Sequence, residues 1–325
     1  MKRTRLRGGP GWKWLRLAAC VALVVAGFVS SARPQTPPES ESFRISVDVD
    51  LVLLHATVRD RKGRFVTDLR KEDFQVYEDR ASQSIRLFRQ EDVPVTVGLV
   101  VDHSGSMGRK LRDVVDAART FVQFSNPQDE MFVINFNDTV TAGLPEAIKF
   151  TNQSDELERA ISNAATTGRT ALYDAIAEAL IRVRTGSRDK KVLLVISDGG
   201  DNASTRTLAQ ILAMAGESGT LVYTVGIFDE EDPDKNPGVL RRLARETGGE
   251  AFIPGRSEPL TSVCERIARD IRHQYTIGYT STNQAQPGTY RAVKVTAAAE
   301  GRGKLSVRTR TGYIARDVPR SGTER

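Results

Sequence analysis

Four apolar runs of strand length alternate with stretches of helical period through the middle of this sequence. The runs lie at 95–101, 131–136, 191–197 and 220–227, and the helical stretches at 111–124, 171–183, 208–215 and 240–247. A strand that is apolar at every position must be buried on both faces, and burial on both faces needs helices above and below it. The alternation therefore predicts βαβ units and an α/β fold: a doubly wound, mostly parallel sheet with right-handed crossovers and helices on both faces. One more helix is expected over 260–273.

Outside 93–273 the pattern changes period. Phe43, Ile45, Val47, Val49, Leu51 and Leu53 alternate with Arg44, Ser46, Asp48 and Asp50, as in a strand with one buried face. Shorter strand-like pieces follow at 74–77 and 85–88. After the last helix come Tyr275, Ile277 and Tyr279, then 290–295, then Leu305 and Val307, with Pro287-Gly288 and Gly301-Arg302-Gly303 at turns. These β-rich flanks, 43–92 and 274–315, are too short to hold confident cores alone. We expect them to pair as a small β-sandwich into which the α/β domain is inserted; two separate flaps are the alternative. No internal repeat is present.

The net charge of +6 is not spread evenly. Six of the 47 basic residues, Lys2, Arg3, Arg5, Arg7, Lys13 and Arg16, fall in residues 1–32 with no acids among them, and the remaining 41 balance the 41 acids. The body of the chain thus lacks the clustered positive excess of a nucleic-acid binder. Residues 1–32 carry the parts of an export signal: a basic start, an apolar stretch over 17–29, and Ser30, Ser31 and Ala32 before a polar segment. Spanning a bilayer takes about 20 residues, more than this stretch supplies. Cleavage and a periplasmic, cell-envelope or secreted location are expected, with membrane attachment only if the leader stays uncut. Residues 33–42 read as a linker and 316–325 as a polar tail. Removal of Cys20 with the leader leaves Cys264 alone, read as a small core residue with no disulfide to form.

The chain leaves the first apolar run through Val101-Asp102-His103-Ser104-Gly105-Ser106. In an open parallel sheet, ligands bind beyond the carboxyl ends of the strands where the connections diverge, and Asp102 stands at such an end. Asp198, in Ser197-Asp198-Gly199-Gly200, stands at the end of a later strand. Two acids brought together repel unless a cation lies between them, and hard divalent cations take carboxylate and neutral oxygen ligands. Ser104 and Ser106 supply neutral oxygens on the first loop. Thr170, in Thr167-Gly168-Arg169-Thr170-Ala171-Leu172-Tyr173, supplies a third hydroxyl at the opening of a helix. His103 is expected to face solvent, and the acidic run Asp229-Glu230-Glu231-Asp232 with Asp234 reads as a solvated loop.

With those residues in hand, the chain resembles a von Willebrand factor type A, or integrin I-like, domain over about 93–273, and with its flanks resembles exported bacterial proteins related to that domain. The family's metal-ion-dependent adhesion site has the form Asp-x-Ser-x-Ser, then Thr, then Asp, which Asp102, Ser104, Ser106, Thr170 and Asp198 match at every position. The resemblance implies Mg²⁺ or Mn²⁺ on those five residues and capture of another protein through an acidic residue that completes the metal shell, with no catalysis and no nucleic-acid partner. It also implies that movement of the last helix can be tied to the metal site. Met107, Gly108, Arg109 and Lys110 follow the serines where a second, calcium site would need acids. A structural or assembly role in the cell envelope with an incidental metal site is the second reading, and a magnesium-dependent hydrolase a distant third: no second Asp stands at Ser104 for a dehalogenase-type phosphatase, and no Gly-x-Ser-x-Gly elbow is present.

Overall fold

Period-two and period-3.6 segments sort into three sheets and two helical layers in the computed structural model, which describes residues 51–90, 92–228, 234–255, 257–283 and 287–315. The leader, the linker, the first part of the alternating strand at 43–50, the acidic run 229–232 and the polar tail lie outside the described residues. Chain contacts divide the protein between residues 48 and 49, and every described residue belongs to the second unit.

In chain order the N-terminal flank forms β1 (Leu51–Arg59), β2 (Phe74–Glu78), β3 (Ala81–Gln83) and β4 (Ile85–Arg89). The middle forms β5 (Val95–Asp102), α1 (Leu111–Phe124), β6 (Glu130–Phe136), β7 (Val140–Ala142), α2 (Ser154–Ser162), α3 (Leu172–Val183), β8 (Lys190–Ser197), α4 (Leu208–Ser218), β9 (Leu221–Gly226), α5 (Pro237–Thr247), β10 (Ala251–Phe252) and α6 (Leu260–Arg272). The C-terminal flank forms β11 (Tyr275–Thr280), β12 (Tyr290–Ala297), β13 (Ser306–Arg308) and β14 (Gly312–Ile314).

The central sheet has the order β10-β9-β8-β5-β6-β7 and is parallel except for β7, which runs antiparallel to β6. Every residue of β5 and β9 is buried, which is why those runs are apolar without alternation. Helix α1 packs on α2 and α6, while α3 packs on α4 and α4 on α5, giving the two layers of a doubly wound fold. Strand β5 carries Gly98 at its centre, where an added Cβ would lie 2.5 Å from the Phe132 ring and 2.6 Å from Leu193. Helix α2 was not expected from the sequence. It buries only Leu157, Ala160 and Ile161, too few apolar positions to set a period.

The flanks supply the other two sheets, ordered β13-β1-β11-β4 and β14-β12-β2-β3. Strand β1 pairs antiparallel with β11 from Leu51↔Thr280 to Ala56↔Tyr275, and β2 pairs antiparallel with β12 from Glu78↔Val293 to Phe74↔Ala297. Each sheet therefore joins strands from both sides of the inserted α/β region. Leu54, Val58, Phe74, Val76, Tyr275, Ile277, Val293 and Val295 share one apolar cluster between them. Buried in the same layer, Glu78 accepts hydrogen bonds from the Tyr279 and Tyr313 hydroxyls at 2.7 and 2.8 Å and faces Arg291 at 3.4 Å. Cys264 is buried in the α/β core, and burial pushes its thiol up to about 12, away from reactive thiolate chemistry.

Candidate metal centre

From β5 the chain crosses to β6 on one side, and it later returns to place β8 on the other side of β5. The carboxyl ends of β5 and β8 thus flank the point where the connections diverge. Asp102 is the last residue of β5 and Asp198 the first beyond β8, with Val101 level with Ile196 in the register between them.

Short hydrogen bonds join these acids to the serines. The Ser104 main-chain N–H donates to Asp102 Oδ1 at 2.8 Å and the Ser197 hydroxyl to Asp102 Oδ2 at 2.6 Å. The Ser104 and Ser106 hydroxyls lie 3.2 Å apart, and Ser106 Oγ donates to Asp198 Oδ2 at 2.8 Å. Gly200 N–H holds the other Asp198 oxygen at 3.0 Å. The turn after Asp198 depends on Gly199, whose φ is +80° and whose missing Cβ would fall 2.4 Å from the Asn236 carbonyl oxygen.

The Thr170 loop is laced to both neighbours. Gly105 N–H donates to Gly168 O at 3.2 Å and Thr167 N–H to His103 O at 2.9 Å on one side. On the other, Asn202 and Ala203 N–H donate to Thr170 O at 3.0 and 3.1 Å, and Thr170 N–H donates to Asn202 Oδ1 at 2.9 Å. Thr170 is buried, and its hydroxyl has no hydrogen-bond partner among the described residues. All five predicted residues therefore sit on three loops joined by main-chain hydrogen bonds. Direct side-chain bonds link four of them, while Thr170 is held beside them through its backbone.

The electrostatics of this crevice lack a cation. Burial pushes the Asp102 carboxyl up to about 6, the nearby Asp198 charge adds to that rise, and hydrogen bonds from Ser104 and Ser197 oppose it. No Lys or Arg forms an ion pair with Asp102 or Asp198 among the described residues. No group of three or more His, Cys, Asp or Glu placed to hold a metal occurs among the described residues. A cation at the crevice would therefore draw on hydroxyls beside two carboxylates, an all-oxygen set suited to Mg²⁺ or Mn²⁺.

His103 does not face solvent as expected. It is buried, with Nε2 3.1 Å from Asn135 Oδ1, and burial holds its pKa below the usual histidine range. The alternation that turns Asp102 and Ser104 toward the crevice turns His103 toward β6, where Asn135 also donates to Ala160 O at 2.7 Å. Two supporting residues went unread in the sequence. Ser197 was visible in the Ser-Asp-Gly-Gly segment beside Asp198, whereas Asn202 carries no signal apart from its place in a loop.

Comparison with known proteins agrees with this architecture. The family model described as the von Willebrand factor type A domain matches residues 96–265, just over half of the chain. Human inter-alpha-trypsin inhibitor heavy chain H2 is 22% identical over 216 residues, covering 63% of this chain and 22% of that protein. The mouse protein of the same name is 24% identical over 171 residues, covering 49% of this chain and 18% of that one. The chain thus spans about a fifth of the length of the curated relatives it matches. Among solved structures, a von Willebrand factor type A protein from Catenulispora acidiphila superposes with a TM-score of 0.50 at 14% identity, covering 75% of this chain and 74% of that one, a likeness of fold. Domains of this kind are in general protein-interaction modules rather than enzymes, and they often bind Mg²⁺ or Mn²⁺. With its matched span, its doubly wound sheet and its two acids at the switch point, the chain belongs to the von Willebrand factor type A domain family.

Proposed function

We propose that this protein is an exported adhesion-type module in which Asp102, Ser104, Ser106, Thr170 and Asp198 hold Mg²⁺ or Mn²⁺ and through it capture an acidic side chain of a partner protein. The observation that carries the proposal is the chain of contacts from Asp102 through Ser104 and Ser106 to Asp198, in a crevice where no Lys or Arg among the described residues pairs with either acid. Asp102, Ser104, Ser106, Thr170 and Asp198 would hold the cation, which would supply Lewis acidity toward a carboxylate oxygen of the partner.

The chain's own residues prepare that position. Asp102 and Asp198 supply the negative charge. Ser104 and Ser106 space the two acids with neutral oxygens, and Ser197 and the Ser104 N–H fix the orientation of Asp102. Gly200 N–H and the Ser106 hydroxyl likewise hold the two oxygens of Asp198. Catalysis is not part of the proposal: His103, the histidine nearest the crevice in sequence, is buried against Asn135 on the far side of its loop and offers no base to a nucleophile. Export rests on residues 1–32, whose basic start and apolar stretch have the form of a signal.

Titration calorimetry of the purified chain with MnCl₂, followed by capture of envelope proteins in the presence and absence of EDTA, tests the reading. Saturable metal binding and partner capture that EDTA abolishes are expected. Capture unchanged by EDTA would replace the proposal with a structural role in the envelope. Export is tested separately by N-terminal sequencing of the mature protein, which is expected to begin near Arg33.

A further inference from the structure

A second charged feature lies far from the metal crevice in chain position, where the edges of all three sheets meet. A cleft of about 500 Å³ is bounded by α5, by Gly249–Ala251 at the start of β10, by β12 at Val293–Val295, and by residues 306–311 running from β13 to β14. Strands β10 and β13 are the outermost strands of their sheets. Strand β12 is covered by β14 only as far as Ala292, the last residue in that register, with Val293 N–H still donating to Thr311 O at 2.8 Å. By the two-residue period of a strand, the Val295 main chain turns to the same side, where β14 no longer reaches. Open strand edges are templates for an added extended chain.

The charge on the walls is one-sided. Arg59, Arg241, Arg245, Lys294, Arg308 and Arg310 line the cleft against a single acid, Glu250. Arg59 is held by Glu250 through two hydrogen bonds of 3.0 and 2.7 Å and also by the buried Asp270, which pairs with Arg308 as well. Those contacts occupy Arg59 and Arg308 and fix the floor. Arg241 and Lys294 are exposed and their side chains have no hydrogen-bond or ion-pair partner among the described residues, so two cations, one on α5 and one on β12, remain to be neutralised from outside.

We propose that this cleft binds an extended acidic peptide segment of a partner protein, its main chain adding to an open strand edge and its carboxylates meeting Arg241 and Lys294. The strand edges along the cleft favour a peptide over a sulfated glycan, which has no peptide main chain to add to them. This site is separate from the metal crevice and needs no metal.

Fluorescence anisotropy of a labelled hexaglutamate peptide, titrated with the full chain in EDTA, tests the inference without engaging the metal site. Binding that weakens with added salt and exceeds that of hexaglutamine is expected. The exposed double variant Arg241→Glu/Lys294→Glu is expected to lower affinity about tenfold or more while keeping its circular dichroism spectrum and its Mn²⁺ binding. Methylating alternate peptide nitrogens is expected to weaken binding further, as strand addition requires. The proposal is overturned by no preference for hexaglutamate over hexaglutamine, by an affinity unchanged in the double variant, by indifference to the methylation, or by tighter binding of a heparin hexasaccharide at the same residues.

Discussion

The Ser106 hydroxyl donates to Asp198 at 2.8 Å although 92 positions of sequence separate the two residues. That bond closes the crevice between the β5 and β8 ends, and either partner is removable without touching the core. Asp198→Ala is expected to shift the thermal midpoint by only a few degrees, because the loss of its two hydrogen bonds is offset by relief of the repulsion between the two buried acids. The same change is expected to abolish the heat of Mn²⁺ binding. In the wild type, Mn²⁺ at a hundredfold excess over its dissociation constant is expected to add about 2.7 kcal/mol of stability. Equal stabilisation of wild type and Asp198→Ala by Mn²⁺, seen by scanning calorimetry, would place the metal elsewhere.

Asp270 ties the last helix of the α/β domain to strands β1 and β13 of the flanks. It is fully buried, receives the Tyr223 hydroxyl at 2.5 Å, and pairs with Arg59 at 3.2 Å and with Arg308. Asp270→Asn leaves two guanidinium groups facing each other around a neutral amide, and loss of one member of a buried charged network costs roughly 3 kcal/mol. Urea unfolding followed by tryptophan-independent far-ultraviolet dichroism measures it. A midpoint equal to that of the wild type would show that the network adds nothing.

Gly98 sits in the middle of the sheet, and its neighbours leave no room for a side chain. Gly98→Ala is expected to destabilise the fold by about 1–3 kcal/mol, since the Phe132 ring and Leu193 would have to move within a closed core. Equilibrium denaturation of the variant checks this, and an unchanged stability would mean that the central sheet is more loosely packed than described.

Lys190 gives the stability a dependence on alkaline pH. Its ammonium is buried on the Ile271 carbonyl, and burial lowers its pKa from 10.5 to about 8 against the opposing pull of Asp270, Asp129 and Asp92. Between those values the unfolded chain holds a proton that the folded chain has released, so stability rises with pH through that window. This contribution is complete above about 10.5 and is lost as pH falls through about 8; it amounts to at most about 3 kcal/mol. Urea midpoints of the wild type relative to Lys190→Met are expected to rise between pH 8 and pH 10. A flat difference would mean that Lys190 titrates normally in the fold.

Much of the α/β region was legible because its signals are local. Helix α1 matches the expected 111–124 at both ends, and β5 extends the expected 95–101 by one residue, Asp102. The strand β14 and helix α2 escaped because a three-residue strand and a helix with three buried side chains set no period. His103 was misplaced for a related reason. Its neighbours marked a loop, and loops usually face water, but Asp102, His103 and Ser104 are all buried, with His103 turned toward Asn135 of β6.

The linear order of residues determined the class of fold and the positions of most strands and helices of the α/β region, since each is set by neighbours a few residues away. Tertiary structure alone decided that β1 pairs with β11 and β2 with β12, that Asp270 meets both Arg59 and Arg308, and that three sheet edges converge on one basic cleft. The strand pairings and the Arg59–Asp270 contact join segments roughly two hundred residues apart, and strand pairing over such distances is chosen by the burial of whole faces against each other, which no window of sequence records.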